Sequence, residues 1–246
     1  FIYREVNMKK LLEKEAAWLA GFIDGDGYFT CAVWERIAKK SKVPSVTIAP
    51  RIGVTQAENE RRVLDYIVDL TGIGKVYIKQ ELSNSLTSQN QGMWIVSKLE
   101  DILELCNVLH PFMLLKKRQC EIMSQLTTHR MNTVISRGER SNFRRTPIED
   151  TLYCAELGLS LNPNATAGRN SQHNSEKRTW EYWKKRIPEI YAEASNMIQE
   201  RTESKRIMLK CNACGTDFER LKCNVREGTK HNFCSIDCGN AFKRGE

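Results

Sequence analysis

Two aspartates follow a short apolar stretch in which glycine recurs. Within residues 19–27, Gly21 and Gly25 lie four positions apart, on one face of a predicted helix. Each glycine costs about 1 kcal/mol relative to alanine in a helix, a cost that is recovered where two backbones must approach closely. The macrodipole disfavours acids at a helix C-terminus, so Asp24 and Asp26 there favour a divalent cation bound by carboxylates, water and phosphate oxygens. The alternative is a core helix followed by an Asp-Gly turn.

Four cysteines in two close pairs lie near the end of the chain. Two residues separate the first pair and three separate the second, and the second pair begins 20 positions after the first pair ends. Such spacing suits one tetrahedral Zn²⁺ held by thiolates, and a segment as short as 206–246 has few other means of making a core. We expect a structural zinc in a treble-clef or ribbon-like module, with Cys223 and His231 as competing ligands. The predicted zinc ligands are Cys211, Cys214, Cys234 and Cys238.

Composition excludes several classes of protein. Of the 246 residues, 41% are hydrophobic and 28% charged, which supports a packed core and excludes a wholly disordered or collagen-like chain. No apolar run reaches the roughly 18 residues that cross a bilayer, so we expect neither a membrane protein nor a secreted one. The nine cysteines are an odd number and are scattered through the chain, which favours a reducing compartment: bacterial or phage-infected cytoplasm, or an organelle.

The charge balance fits a nucleic-acid partner. There are 38 Lys and Arg against 30 Asp and Glu, a net charge of +8. The excess is spread along the chain without a polybasic tail, so DNA contacts must come from individually placed side chains.

Hydrophobic periodicity predicts an α+β region followed by a polar one. The elements read α-β-β-α-β-β-α-α up to about residue 130, which gives predicted domains 1–130, 131–205 and 206–246. The middle segment is predicted to be a linker with short helices; an extended arm that tracks DNA is the alternative. The predicted elements are 11–24, 28–37, 45–55, 58–70, 75–82, 92–96, 99–109 and 111–126, then 148–161 and 179–198, the last interrupted by Pro188.

The first region resembles the LAGLIDADG homing endonuclease family. The resemblance lies in residues 19–27, in Val54-Thr55-Gln56, in Thr71-Gly72-Ile73-Gly74 and in the segment Pro111–Lys116, and it extends from about residue 12 to 126. It implies an αββαββα core with a saddle-shaped antiparallel sheet and site-specific cleavage of double-stranded DNA that depends on Mg²⁺ or Mn²⁺.

The resemblance also implies roles for individual residues. Asp26 corresponds to the family's metal ligand at the scissile phosphate, and Gly25 to the residue whose carbonyl also faces the metal. Gln56 corresponds to the residue that positions the attacking water, and Lys116 corresponds to the basic residue that stabilises the negative charge developing on the phosphate. Asp24 corresponds to the motif acid with a more structural role.

One position departs from the family pattern. Where close relatives often carry an active-site arginine, this chain has Glu60, and we predict that Arg61 takes the arginine's place.

A single acidic helix implies two copies of the chain, because cutting both strands needs two sites. We expect a C₂ homodimer on a pseudo-palindromic target, with Trp18, Gly21, Phe22 and Gly25 at the interface.

The strands are expected to contact DNA in the major groove through one face of the sheet, helped by lysines in the β-turn. The zinc module is expected to add contacts through Lys222, Arg226 and Lys230. Two alternatives stay open: an intron maturase that binds RNA, and a non-catalytic regulator. The predicted DNA-binding residues of the sheet are Tyr28, Thr30, Trp34, Arg36, Lys39, Lys40, Lys42, Thr47, Arg51, Thr55, Lys75, Tyr77 and Lys79.

Overall fold

The computed structural model describes residues 8–39, 42–79, 90–138, 146–162, 179–222, 225 and 231–244, with backbone alone at 134–138. Within these residues the element order confirms the predicted αββαββα core, and three further helices, a β-hairpin and a short helix follow. Single 3₁₀ turns lie at Glu58–Glu60 and His110–Phe112. The elements are α1 (Glu13–Asp26), β1 (Gly27–Ile37), β2 (Pro44–Ala57), α2 (Arg61–Thr71), β3 (Lys75–Lys79), β4 (Gln91–Val96), α3 (Leu99–Leu109), α4 (Lys117–Gly138), α5 (Ile148–Ser160), α6 (Trp180–Ser204), β5 (Arg206–Lys210), β6 (Asp217–Leu221) and α7 (Ile236–Arg244).

The first four strands form one sheet in the order β1-β2-β4-β3. The pairs β2–β4 and β3–β4 are antiparallel, with Gln56 opposite Gly92 near the end of β2. Side chains alternate between the two faces of each strand, and one face is buried together with the apolar sides of the helices. The core contains Leu19, Ile23, Phe29, Ile52, Val54, Leu64, Ile67, Trp94, Ile102 and Leu105.

The step from α1 into β1 requires glycine. A Cβ on Gly27 would lie 2.8 Å from the backbone of Ile23, one helical turn earlier. The chain can therefore leave the helix at Asp26 and enter the strand at once, which fixes Asp26 at the junction of the two elements.

The fourth helix begins later than its hydrophobic pattern predicts. The pattern favours a helix from Pro111, whereas Met113 is extended and α4 begins at Lys117. The predicted start is therefore wrong, and the cause is a distant carboxylate that binds the backbone N–H groups of residues 114–116, as described below. At its other end α4 runs without a break through residue 130, where the sequence suggested a boundary.

The chain divides into two compact units. The first unit comprises residues 1–36 and 46–189, and the second comprises residues 37–45 and 190–246. The helix α6 belongs to both and continues through Pro188, so the proline predicted to interrupt this helix does not end it. The predicted division into 1–130, 131–205 and 206–246 concerns independent folding and stays a prediction.

Within the first unit, α5 and the start of α6 join the α+β core. Gly158 lets α5 approach β1 closely, because a Cβ there would lie 2.6 Å from the sulfur of Cys31. The guanidinium of Arg186 on α6 donates to both carboxylate oxygens of Glu35 on β1, at 3.0 Å each. The residues described between 146 and 162 and between 179 and 204 are mainly helical rather than an extended arm.

Within the second unit, the hairpin β5–β6 pairs Arg206 with Leu221 and Lys210 with Asp217. The short helix α7 follows it, and the rings of His231, Phe233 and Phe242 pack together beside that helix. None of the helices in the described part of the chain has the length and hydrophobicity of a membrane-spanning segment.

Candidate active site and zinc centre

The carboxylate of Asp24 binds the start of α4. It accepts backbone N–H groups from Leu114 at 2.7 Å, Leu115 at 3.1 Å and Lys116 at 2.9 Å, and the residue is only 8% exposed. Burial raises the pKa of this carboxyl, but the three N–H donors and the Lys116 ammonium together lower the pKa by more than burial raises it, so the net shift is downward. Asp24 is therefore a charged acceptor that ties the segment just before α4 to the end of α1, although the two lie about 90 residues apart in sequence.

The side chain of Lys116 makes the reciprocal contact. Its ammonium donates to the carbonyl oxygens of Ile23 at 2.9 Å, Asp24 at 2.5 Å and Gly25 at 3.4 Å. These carbonyls form the negative C-terminal end of α1, which a cation stabilises. Burial lowers the pKa of Lys116, although the carboxylates of Asp24 and Asp26 raise it in part. Each helix thus supplies the charge that the other helix end needs.

Asp26 and Gln56 are in contact at the exposed C-terminal end of α1. The Nε2 atom of Gln56 donates to Oδ2 of Asp26 at 2.9 Å, and Asp26 is exposed at the end of α1. An exposed carboxylate with a backbone carbonyl one residue earlier is a donor set that suits Mg²⁺, which usually takes one or two carboxylates and completes its shell with water and phosphate oxygens. The structure thus brings together four predicted site residues: Gly25, Asp26, Gln56 and Lys116.

Arg61 is not part of this group. Its guanidinium contacts Asp65 one turn along α2, at 3.3 Å, and both side chains are about half exposed. Within the described part of the chain, no contact joins Arg61 to Asp26, Gln56 or Lys116. Its role as a substitute arginine stays a prediction.

The two motif glycines face open space. A Cβ added to Gly21 or Gly25 would have nothing within 4 Å among the described residues, and both glycines are exposed. The fold of one chain therefore does not require glycine at either position. Beside them Trp18 stacks on Phe22 at a centroid distance of 5.5 Å and meets the edge of Tyr66 at 5.2 Å.

Sequence reasoning missed two exposed leucines just before α4. Leu114 is 85% exposed and Leu115 is 78% exposed, and their N–H groups bind Asp24 at the end of α1. A helix from Pro111 would have placed them among ordinary helical positions. Their apolar character just before a basic helix start was the available signal.

The face of the sheet opposite the core carries the predicted DNA contacts. Burial raises the pKa of Tyr28, which a hydrogen bond from Thr55 and the charge of Arg51 lower only in part, so these three side chains form one group. Lys40 lies outside the described residues. Trp34, Arg36, Lys39, Lys42, Arg51, Lys75, Tyr77 and Lys79 are exposed, and Tyr28, Thr30, Thr47 and Thr55 are half-buried.

Four thiols converge in the second unit. The sulfurs of Cys211, Cys214, Cys234 and Cys238 all lie within 4.8 Å of one another, with Cys214 to Cys234 at 3.6 Å and Cys234 to Cys238 at 3.4 Å. A tetrahedral Zn²⁺ with Zn–S bonds of about 2.3 Å requires sulfur separations of about 3.8 Å. The cluster therefore fits zinc. The competing ligand His231 packs on Phe242 instead, and Cys223, Arg226 and Lys230 lie outside the described residues.

The pKa values of Cys211 and Cys234 reflect the backbone donors and the thiols that surround these two sulfurs. Backbone N–H donors, first that of Cys214 and then those of Cys234 and Ala213, lower the pKa of Cys211 to about 6. The neighbouring thiols of Cys238 and Cys214 raise the pKa of Cys234 to about 12. Four thiolates so close together repel one another, and a divalent cation removes that cost.

Comparisons with known proteins agree with this geometry. The profile of the LAGLIDADG endonuclease family matches residues 19–127, and that of the MYM-type zinc finger with FCS sequence motif matches residues 207–242. The FCS residues are Phe233, Cys234 and Ser235 in this chain.

Two curated proteins and a solved structure are similar to the first region. The intron-encoded DNA endonuclease aI3 of Saccharomyces cerevisiae is 27% identical over 110 residues, which are 45% of this chain and 23% of that protein. The DNA endonuclease I-CreI of Chlamydomonas reinhardtii is 28% identical over 109 residues, which are 44% of this chain and 60% of I-CreI. The chain thus spans less than two thirds of either relative.

The solved structure is that of the homing endonuclease I-CvuI in complex with the I-CreI target in the presence of Mg. It has the same fold, with a TM-score of 0.53 at 17% identity over 72% of this chain and 95% of that one. The predicted resemblance is therefore confirmed: the chain carries a LAGLIDADG endonuclease domain of the single-motif, I-CreI-like type, followed by a C-terminal MYM-type zinc finger with a four-cysteine cluster.

Proposed function

We propose that this protein is a site-specific double-strand DNA endonuclease that acts as a homodimer and depends on Mg²⁺ or Mn²⁺. The observation that carries the proposal is the exposed Asp26 carboxylate, held by Gln56 at the end of a helix whose glycine face is open. The similar proteins point in the same direction, because two are DNA endonucleases and a third is a homing endonuclease in complex with a DNA target.

The glycine face supports the homodimer. Gly21 and Gly25 cost helix stability without serving the fold of one chain, so a second backbone is the occupant that would recover the cost. A C₂ partner presents the same face and brings its own Asp26 near the axis. The exposed Leu114 and Leu115, just before α4, are further apolar surface that a partner would cover.

The proposed chemistry is hydrolysis of a phosphodiester bond. The bound divalent cation supplies Lewis acidity and lowers the pKa of water near the phosphate. Asp26 and the Gly25 carbonyl would hold it, and the Gln56 amide orients the Asp26 carboxylate and can also hold a water. Lys116 keeps a positive charge at the end of α1, beside the position where negative charge develops on the phosphate oxygens.

The proposed substrate is duplex DNA lying on the exposed face of the sheet. Two-stranded ribbons fit the major groove, and β1 and β2 present Arg36, Arg51 and the aromatic Trp34 on that face. The two-fold of the dimer implies a target that is close to palindromic. The four clustered thiols support a reducing compartment, where cysteines stay free for zinc.

The test uses supercoiled plasmid carrying the junction that forms when the DNA around this reading frame is rejoined. Wild-type protein with Mg²⁺ is expected to linearise the plasmid, and Asp26→Asn is expected to bind the same DNA without cutting it. Asp217→Asn, an exposed site on β6, is the matched control and should cut normally.

Two outcomes would contradict the proposal. A wild-type protein that binds intron RNA and cuts no duplex would favour a maturase. An Asp26→Asn variant that cuts at the wild-type rate would remove Asp26 from the site.

A further inference from the structure

The tip of the β1–β2 hairpin and the zinc finger are parts of one compact unit. Residues 37–45 belong with residues 190–246 rather than with the rest of their own strands. In sequence, β1 of the proposed DNA surface is therefore followed directly by residues of the unit that contains the four cysteines.

The tip keeps a lysine in an unfavourable backbone conformation. Lys42 has φ +53°, a left-handed conformation that costs a residue other than glycine roughly 1–2 kcal/mol. Its N–H donates to the carbonyl of Ala38 at 2.7 Å and closes the turn. The turn geometry alone would favour Gly or Asn at position 42. A lysine here therefore indicates that the side chain, rather than the backbone, has a role at this position.

The second unit carries exposed lysines without partners in the described chain. Lys39 and Lys42 on the tip, and Lys210, Lys222 and Lys243 on the zinc finger, are exposed and form no ion pair with any described residue. Arg206, by contrast, is bound by Glu219 at 2.8 Å. Lysine ammonium groups are compact, strongly hydrated charges, and they suit phosphate contacts, which position a protein without reading sequence.

We propose that the second unit binds the phosphate backbone of duplex DNA flanking the segment that the sheet contacts, and so lengthens the footprint of each protomer. This inference rests on the proposed function, because it takes the exposed face of β1 and β2 as the DNA surface. The lysine–phosphate pairs contribute affinity and salt dependence, and sequence preference stays with the sheet.

The experiment measures binding of the full-length, zinc-loaded protein to two duplexes, one limited to the core site and one with ten further base pairs on each side. The test variant is Lys210→Gln/Lys222→Gln/Lys243→Gln. Its matched control, with the same loss of charge in the first unit, is Lys10→Gln/Lys184→Gln/Lys185→Gln; all three control lysines are exposed.

For the long duplex, the magnitude of the slope of log K against log salt should fall by about 0.9 for each phosphate that the protein no longer neutralises, hence by about 5 for the dimeric test variant, which loses three lysines in each of its two protomers. The same variant should bind the short duplex like wild type, and the control variant should match wild type on both.

A test variant with the wild-type slope on the long duplex overturns the inference, as does an equal loss of affinity on both duplexes. Binding to a structured RNA is measured in parallel, and a loss confined to that RNA also overturns the inference, because the partner would then be RNA. Cleavage is scored separately on the short duplex: if the wild type cuts nothing, the proposed function fails, while the dependence on flank length still decides the inference.

Discussion

Replacing Gly21 with alanine should have opposite effects on the single chain and on the dimer. Gly21 lies inside α1, and an added Cβ has open space around it in one chain. The substitution therefore removes the conformational cost of glycine and should raise the free energy of unfolding of the monomer by about 1 kcal/mol.

The dimer should lose more than the monomer gains. If the two α1 helices approach closely at Gly21, each added methyl overpacks the contact at a cost of about 1–3 kcal/mol. The two-fold repeats the clash, so the total is about 2–6 kcal/mol, which raises the dimer dissociation constant roughly 30-fold to 10⁴-fold.

Two measurements separate these effects. Urea unfolding below the dimer dissociation constant reports the monomer, and sedimentation velocity over a concentration series reports the dimer. Asn196→Ala, at an exposed position of α6, is the control that raises helix propensity without touching the glycine face. A Gly21→Ala protein that dimerises and cuts DNA like wild type would refute the close approach of the helices.

Three further predictions concern the folded chain. Asp24→Asn should lower the free energy of unfolding by about 2–4 kcal/mol at pH 7, since a charged acceptor of three N–H groups is lost. Because the folded pKa of Asp24 is lowered, the wild type has this stability in full above the unfolded pKa of about 3.9 and loses it progressively as the pH falls from there through the folded pKa. Urea unfolding should therefore show a smaller difference in free energy between the two proteins at pH 3 than at pH 7, and an unchanged difference would contradict the assignment. Removing zinc with a chelator, or the substitution Cys234→Ser, should abolish the protection of residues 206–244 from hydrogen exchange and leave the amides of α1–α4 protected. An equal loss of protection in both regions would contradict this prediction. Gly74→Ala should cost about 1–3 kcal/mol, because Gly74 has φ +79° and its added Cβ would lie 2.3 Å from the Trp94 ring nitrogen; thermal unfolding measures it, and a loss below 0.5 kcal/mol, roughly the scatter of neutral substitutions, would speak against it.

The features predicted from sequence are those encoded by neighbouring residues. The acidic helix and the cysteine pairs each combine residue type with short spacing, and both the α+β order and the four-sulfur cluster follow from such patterns. Strand alternation likewise separates Ile52 and Val54 from Arg51 and Thr55 without knowledge of the sheet.

The features that sequence could not predict depend on distant partners. The residues from Pro111 have the hydrophobic pattern of a helix. They do not form one because Asp24, 90 residues away, binds the N–H groups that would otherwise enter the first turn. Nothing within residues 37–45 indicates that the hairpin tip joins the C-terminal unit. Pro188 is tolerated because α6 is held on both sides of it, by the buried Ile187 and Ile190.

The most direct test of the central claim uses a dimer with one defective site. A heterodimer of wild-type protein and Asp26→Asn, purified through two different affinity tags, is incubated with Mg²⁺ and supercoiled plasmid carrying the target. One intact carboxylate should cut one strand, so the heterodimer should yield nicked circles while the wild-type homodimer yields linear DNA. Linear DNA from the heterodimer at the wild-type rate would contradict the claim that each protomer supplies one Asp26 for one strand.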